Sequence, residues 1–266
     1  MAERRGAHRE GLRARGLQSV PRPVGRARDG NAAVIATSVH VVIPVHNEED
    51  LLQSCLDAVR GASARACALG IDVHTVVVLD ACTDRSALIA RRYPVEIIEI
   101  DAGRVGRARR IGTDAALHRA DEETRAWVAH TDADSIVPGN WITHQVALSA
   151  GGSDVMIGTV RPDFADLTLR HVEHWRATHT PGRPNGHVHG ANLGFRAGVY
   201  RHVGGFAEVP EHEDVTFVAA ARAAGFVLTA SDVAEVMTSG RFVGRTPGGY
   251  AGYLAAQKEM LESGVA

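Results

Sequence analysis

The sequence predicts an α/β domain built on a mainly parallel central sheet with helices on both faces. Two observations predict it: short apolar runs of strand length alternate with segments whose apolar residues recur at helical spacing, and polar clusters directly follow the strand-like runs. The 266 residues, 45% hydrophobic and 23% charged, suffice to bury one large core.

The first strand is Ser38 to Val45, a β-branched run with Pro44 near its end. Asn47-Glu48-Glu49-Asp50 then opens a helix with an acidic first turn, carried on by Leu51, Leu52, Cys55, Leu56 and Val59. Val73 to Leu79 is the second strand, Asp80 to Asp84 a loop and Arg85 to Arg92 a helix. Val95 to Ile100, Val105 to His118 and Arg125 to His130 supply a third strand, a third helix and a fourth strand. Beyond residue 150 the spacing predicts a strand over Asp154 to Val160, a helix over Asp163 to Thr178 and a Pro/Gly/His-rich loop over Pro181 to His189. An apolar, turn-rich stretch from Ala191 to Phe206 follows, then a helix starting near Glu213 and a strand over Phe226 to Ala230.

Charge is unevenly distributed. Residues 1–30 carry eight Arg against Glu3, Glu10 and Asp29, a charge of +5 that leaves −7 for the remainder of a chain whose net is −2. Residues 1–35 are therefore expected to be a disordered basic tail and residues 36–266 the folded domain. Tail attachment to an anionic lipid or nucleic acid is the functional alternative to a solvated extension; no nucleic-acid partner is expected, and nothing indicates membrane contact beyond a peripheral one. No run approaches the roughly 18 apolar residues of a spanning helix. Cys55, Cys67 and Cys82 have neither paired number nor CxxC spacing, which points to a reducing, cytoplasmic setting.

In parallel sheets ligands bind beyond the carboxyl ends of the strands, and here those ends carry His46-Asn47-Glu48, Asp80 to Asp84 and Asp132-Ala133-Asp134. One crevice would collect all three. Two aspartates separated by one residue at a strand end repel each other unless a cation balances them, and oxygen ligands favour Mg²⁺ or Mn²⁺; solvated turn residues are the plainer reading. Glu213-Asp214 at a helix start either complements the helix dipole or includes a carboxylate that accepts a proton. Arg107, Arg109, Arg110, Arg241 and Arg245 form either a solvated face or a phosphate clamp. His187 and His189 would share one side of an extended segment, as acceptor contacts, as metal ligands or, more plainly, as ordinary residues of a polar loop.

In this order the clusters resemble glycosyltransferase family 2, inverting enzymes of the GT-A (Rossmann-like) fold. The matching text is Val42 to Glu49, Asp80-Ala81-Cys82-Thr83-Asp84, Gly106 to Gly112 with Arg109, Thr131-Asp132-Ala133-Asp134, Gly190-Ala191-Asn192, Val203-Gly204-Gly205-Phe206 and Glu213-Asp214. The resemblance implies a sugar, commonly a hexose, moved from a nucleotide-sugar donor to a hydroxyl acceptor with Mn²⁺ or Mg²⁺. It implies that Pro44, His46 and Glu48 border base and ribose, with Asp80 near the base and Arg109 shaping that pocket. Asp132 would contact the ribose or the metal shell, Asp134 the metal, and Asp214, beside Glu213, would be the general base. Asn192 joins His187 and His189 as an acceptor contact. Two departures stand out: many members carry the base-binding aspartate one place earlier, where this chain has Leu79, and the last strand leads into Met237-Thr238-Ser239-Gly240-Arg241 with no His ligand. A catalytically silent nucleotide-sugar binder of the same fold is the alternative, and it would bind donor without turnover.

Overall fold

Strands that are apolar on both faces pair at the centre of a parallel sheet, because crossover helices cover both sides. In a computed structural model, which describes residues 35–184, 186–244, 246 and 248–263, β1 (Ser38–Val45) takes this place. The basic tail, Ile35 excepted, and Arg245 lie outside the described residues. β1 pairs in parallel with β2 (Asp72–Asp80) on one side and β4 (Ala126–His130) on the other, and β3 (Glu96–Ile100) lies parallel beyond β2. The crossovers are α1 (Leu52–Cys67), α2 (Ser86–Ala90) and α3 (Val105–His118). Alternation along β1 divides the core: Val39, Val41 and Ile43 pack with α1 on one face, Val42 with Ala108 and Ala116 of α3 on the other.

The second half of the sheet is mixed. β5 (Ser135–Ile136), α4 (Trp141–Ala150), β6 (Val155–Pro162), α5 (Leu169–Thr178), β7 (Leu193–Arg196), α6 (Ala197–Val203), α7 (Glu213–Ala223), β8 (Leu228–Thr238) and α8 (Tyr250–Glu262) follow along the chain. The strand order is β3-β2-β1-β4-β7-β6-β8-β5, with β7 antiparallel to β4 and β6, β5 antiparallel to β8, and β6 parallel to β8. The structure departs from the sequence reading in several places: Asn47 to Asp50 lie in the turn before α1, whose first turn holds no acidic residue, and β5 and α4 were not expected. The turn-rich stretch from Ala191 holds β7 and α6, whose few residues are too short to show a period. The helix expected from Asp163 starts at Leu169, because Asp163 and Thr168 each cap a separate turn through their side chains. β8 runs on past Ala230 to Thr238 with one face buried through Ala234, Val236 and Thr238. α8 was not expected; only Leu254 and Leu261 of it are buried.

Asn192 belongs to the core and is not an acceptor contact. Its Oδ1 accepts from Trp141 Nε1 at 2.9 Å, and its Nδ2 donates to the carbonyls of Thr159 at 2.8 Å and Ala234 at 2.9 Å. The side chain thereby joins α4, β6 and β8, and Gly158 makes room for it, since a Cβ there would overlap the amide group. Fully buried with every bond made, it has nothing to offer a ligand. Asn192→Ala strands those three groups, and at about 1–3 kcal/mol per buried unsatisfied group the loss should be roughly 3–9 kcal/mol. Urea denaturation checks this; a loss below about 1 kcal/mol would show that water or a neighbour replaces the amide.

Candidate functional site

The carboxyl ends of β1, β2 and β4 open onto a cavity of about 650 Å³. Its walls depend on contacts between successive turns. Asn47 Oδ1 accepts from the Thr83 amide at 2.7 Å and the Asp84 amide at 3.3 Å, and the Glu48 amide donates to Ser86 Oγ at 2.9 Å. His46 Nδ1 lies 2.6 Å from the Asp80 carbonyl oxygen. Among the described residues, the non-glycine residues with positive φ are Asn47, Ala81 and His212, all in the turns around this cavity. Such backbone costs about 1–3 kcal/mol per residue and persists only where surrounding contacts impose it.

Pro44, His46, Glu48 and Asp80 all line the cavity, as the sequence reading places them. The Asp80 carboxylate, however, accepts from three backbone amides, Ala102 at 2.7 Å, Gly103 at 2.8 Å and Arg104 at 2.9 Å. It fastens the turn into α3, and Oδ2, which takes one of the three amides, keeps a further lone pair.

Arg109 is similarly engaged. Buried to 3% exposure, it donates through Nε to Glu213 at 2.9 Å, through NH1 to the Gly190 carbonyl at 3.1 Å and through NH2 to Asp132 at 2.7 Å. Burial alone would lower its pKa, but the charges of Asp132 and Glu213 outweigh burial and raise it. Gly190 is required here, since a Cβ would overlap the guanidinium. Glu213 is therefore corrected from catalytic candidate to ion-pair partner: it is buried at 4% exposure and turned towards Arg109.

Its neighbour Asp214 lines the cavity. His212, at φ 63°, turns the chain into α7, and Asp214 then accepts from the Gly190 amide at 2.7 Å and the Val215 amide at 2.8 Å. These contacts fix the carboxylate while leaving further lone pairs for the cavity. On the same side, His189 has ring contacts with His187 at 6.4 Å and Tyr250 at 5.6 Å between centroids. Burial, and then His187, pushes the His189 pKa down to about 4, so its imidazole is neutral near pH 7. Tyr250 and Tyr253 of α8 also line the cavity. The sequence reading missed both; the available signal was Gly248-Gly249 immediately before an aromatic residue.

Asp132 and Asp134 line the same cavity. Asp134 Oδ1 accepts from the hydroxyls of Thr238 at 3.2 Å and Ser135 at 3.3 Å, while Oδ2 lies 2.8 Å from Arg241. Arg241 also spans both Glu48 oxygens, at 3.2 and 2.9 Å. Among the described residues, seven acidic side chains line the cavity against three arginines, and this excess of carboxylate oxygens suits a hard divalent cation. Asp134 and Asp132 would supply ligands to it. Among the described residues no cluster of three or more His, Cys, Asp or Glu is arranged to hold a metal, so the remaining ligands would come from elsewhere.

With this geometry the chain can be compared with known proteins. Residues 40–204 match the model of "Glycosyl transferase family 2". The chain belongs to glycosyl transferase family 2. A curated relative of this family 2 chain, the undecaprenyl-phosphate 4-deoxy-4-formamido-L-arabinose transferase of Pseudomonas fluorescens, is 35% identical over 133 residues, 50% of this chain and 38% of that protein. Residues 1–349 of Staphylococcus aureus TarS in complex with UDP-GlcNAc superpose with a TM-score of 0.61 at 15% identity, covering 80% of this chain and 61% of that one. The mannosyltransferase PcManGT from Pyrobaculum calidifontis, in complex with GDP-Man and Mn²⁺, gives 0.56 at 22% identity, with 82% and 61% covered. Glucosyl-3-phosphoglycerate synthase from Mycobacterium tuberculosis, in complex with Mn²⁺, UDP and phosphoglyceric acid, gives 0.56 at 13% identity, with 85% and 79% covered. This family 2 chain has the GT-A fold that these structures share. It spans well under half of the curated relative's length and about three fifths of the TarS fragment and of PcManGT.

Asp134 gives the site a pH signature. Burial, and next the charge of Asp132, push its carboxyl from 3.8 up to about 6. A carboxyl whose pKa rises on folding stabilises the native state below its unfolded pKa, and that contribution is lost as pH rises through about 6. With chelator present, Asp134→Asn should therefore stabilise the protein at pH 8 by about 1–3 kcal/mol, at 1.36 kcal/mol per pKa unit, and give almost no gain at pH 4. Unfolding midpoints at both pH values check this; an equal change at both would show that the charge is already balanced.

Proposed function

We propose that this family 2 chain transfers a sugar, most simply a hexose, from a nucleoside-diphosphate sugar to an acceptor hydroxyl with inversion, assisted by Mn²⁺ or Mg²⁺. The observation that carries the reading is the division of the Glu213-Asp214 pair: one carboxylate is buried on Arg109, and the other is fixed at the cavity wall by the Gly190 amide. A silent binder has no use for that division. The described residues include no helix long and apolar enough to cross a membrane, and Cys55, Cys67 and Cys82 are free thiols, which suits a cytoplasmic setting. Residues 36–266 are read as the transferase domain.

Pro44, His46 and Glu48, with the wall set by Asp80, would take up base and ribose. A divalent ion held by Asp134 and Asp132 would offset charge on the departing diphosphate. The acceptor would enter between His187, His189 and Tyr250, which line the same cavity as Asp214. The Gly190 and Val215 amides hold the Asp214 carboxylate in place for a proton acceptor. Orientation of hydroxyl against donor must then supply much of the rate. Neutral His189 can accept or donate one hydrogen bond to the acceptor without placing a second cation beside the base.

The test begins with a panel of UDP-, GDP- and dTDP-sugars scored by thermal stabilisation with Mn²⁺, since a bound ligand raises stability by mass action. With the donor so found, Asp214→Asn should lower turnover by about 10²–10⁴-fold while donor affinity stays near wild type. Glu213→Gln should act differently, costing about 3–5 kcal/mol of stability by leaving Arg109 short of a partner. Normal turnover in Asp214→Asn would discard the base, and donor binding without turnover in the wild type would favour the silent binder.

A further inference from the structure

The two guanidiniums at the centre of the cavity are held in different ways. Arg109 has 4% of its side chain exposed and spends its donors on Glu213, Gly190 and Asp132. Arg241 has 36% exposed, and its described contacts from the guanidinium are with the carboxylates of Glu48 and Asp134. Its backbone is fixed independently of them: the Ser239 amide donates to the Asp134 carbonyl at 3.1 Å, and the Gly240 amide donates to Asp166 Oδ2 at 2.8 Å. The Arg241 side chain can therefore change partners without moving the chain that carries it.

The contested atom is Asp134 Oδ2. Oδ1 of the same carboxylate is occupied by the hydroxyls of Thr238 and Ser135, which leaves Oδ2 as the oxygen best placed for a cation, and Arg241 lies 2.8 Å from it. A divalent ion and a guanidinium at contact distance from one buried oxygen repel each other strongly, because little water screens them. One must leave.

We propose that Arg241 is an internal competitor of the divalent ion at Asp134, released when the ion arrives together with a diphosphate. This rests on the metal reading given under Proposed function and adds to it an order of events. The guanidinium holds Asp134 and Glu48 together, and the ion alone must displace a charge-assisted pair to bind. A diphosphate changes the balance, because its oxygens offer the displaced guanidinium a bidentate partner equivalent to Glu48. Ion and nucleotide then bind cooperatively, each strengthening the other by the same factor. The cavity would take up little free metal and commit it only with the donor.

The test is Mn²⁺ binding, followed by the loss of the free-ion paramagnetic resonance signal, in the wild type, Arg241→Gln, Arg241→Lys and Asp134→Asn, each alone and with UDP or GDP as the diphosphate probe. Without nucleotide, Arg241→Gln should bind Mn²⁺ roughly tenfold to a hundredfold more tightly than the wild type, the factor expected from removing a charged hydrogen-bonded competitor. Arg241→Lys keeps a competing charge and should stay within a few-fold of wild type, which separates competition from loosening of the loop. UDP or GDP should tighten Mn²⁺ binding more in the wild type than in Arg241→Gln. Equal or weaker Mn²⁺ binding by Arg241→Gln, with binding still dependent on Asp134, would overturn the competition and leave the metal site standing. Mn²⁺ binding that is undetectable in every variant with nucleotide, or undiminished in Asp134→Asn, would overturn the metal reading and this proposal with it.

Discussion

The salt-bridge network of Arg109 is the constraint on which the rest of the site depends. One guanidinium from α3 binds Asp132 after β4, the carbonyl of Gly190 before β7 and Glu213 at the start of α7, positions up to 104 residues away in sequence. A cation buried this deeply is stable only if its charge and donors are nearly all met, and removing one partner of such a group typically costs about 3–5 kcal/mol. The same contacts align the functional atoms: Gly190 accepts from Arg109 through its carbonyl and donates to Asp214 through its amide. Thus the segments that carry Asp132 and Asp214 are referred to one rigid group.

Around that group the cavity carries more negative charge than its arginines neutralise. Burial, and next the charge of Asp132, raise the proton affinity of Asp134 although Arg241 lies against it. Such a surface would suit a polyanionic donor that enters together with a divalent ion, because each charge is balanced only when the other is present. Arg109 and Arg241 divide the work physically. The buried one fixes distances; the partly exposed one can exchange partners.

Backbone constraint completes the arrangement. Asn47 and Ala81 leave adjacent parallel strands in left-handed conformations, and His212 does so before α7. At Asn47 and Ala81 the turn follows directly on the strand end, and at His212 it leads into α7. Asp80 tying down the amides from Ala102 to Arg104 and Asn47 holding Thr83 and Asp84 are what keep these turns in place. Side chains that look in sequence like ligand contacts thus serve partly as fasteners of the wall.

By itself the sequence determined the parallel half of the sheet, because hydrophobic period and strand length are local signals: β1 to β4 and α3 were legible almost to the residue. It also determined which strand ends carry carboxylates, since those follow directly from the apolar runs. Only the tertiary structure decided what each polar side chain binds. Glu213 and Asp214 are neighbours with the same charge, yet one is paired with Arg109 and the other with the Gly190 amide, a choice set by where α3 lies against α7. Asn192, adjacent to an expected acceptor loop, is consumed by Trp141, Thr159 and Ala234, and Asp80 is tied to amides beyond the next strand. β7, the later half of β8 and α8 escaped notice because their burial comes from strand order and packing between distant segments, and periodicity along the chain carries no record of which segments meet.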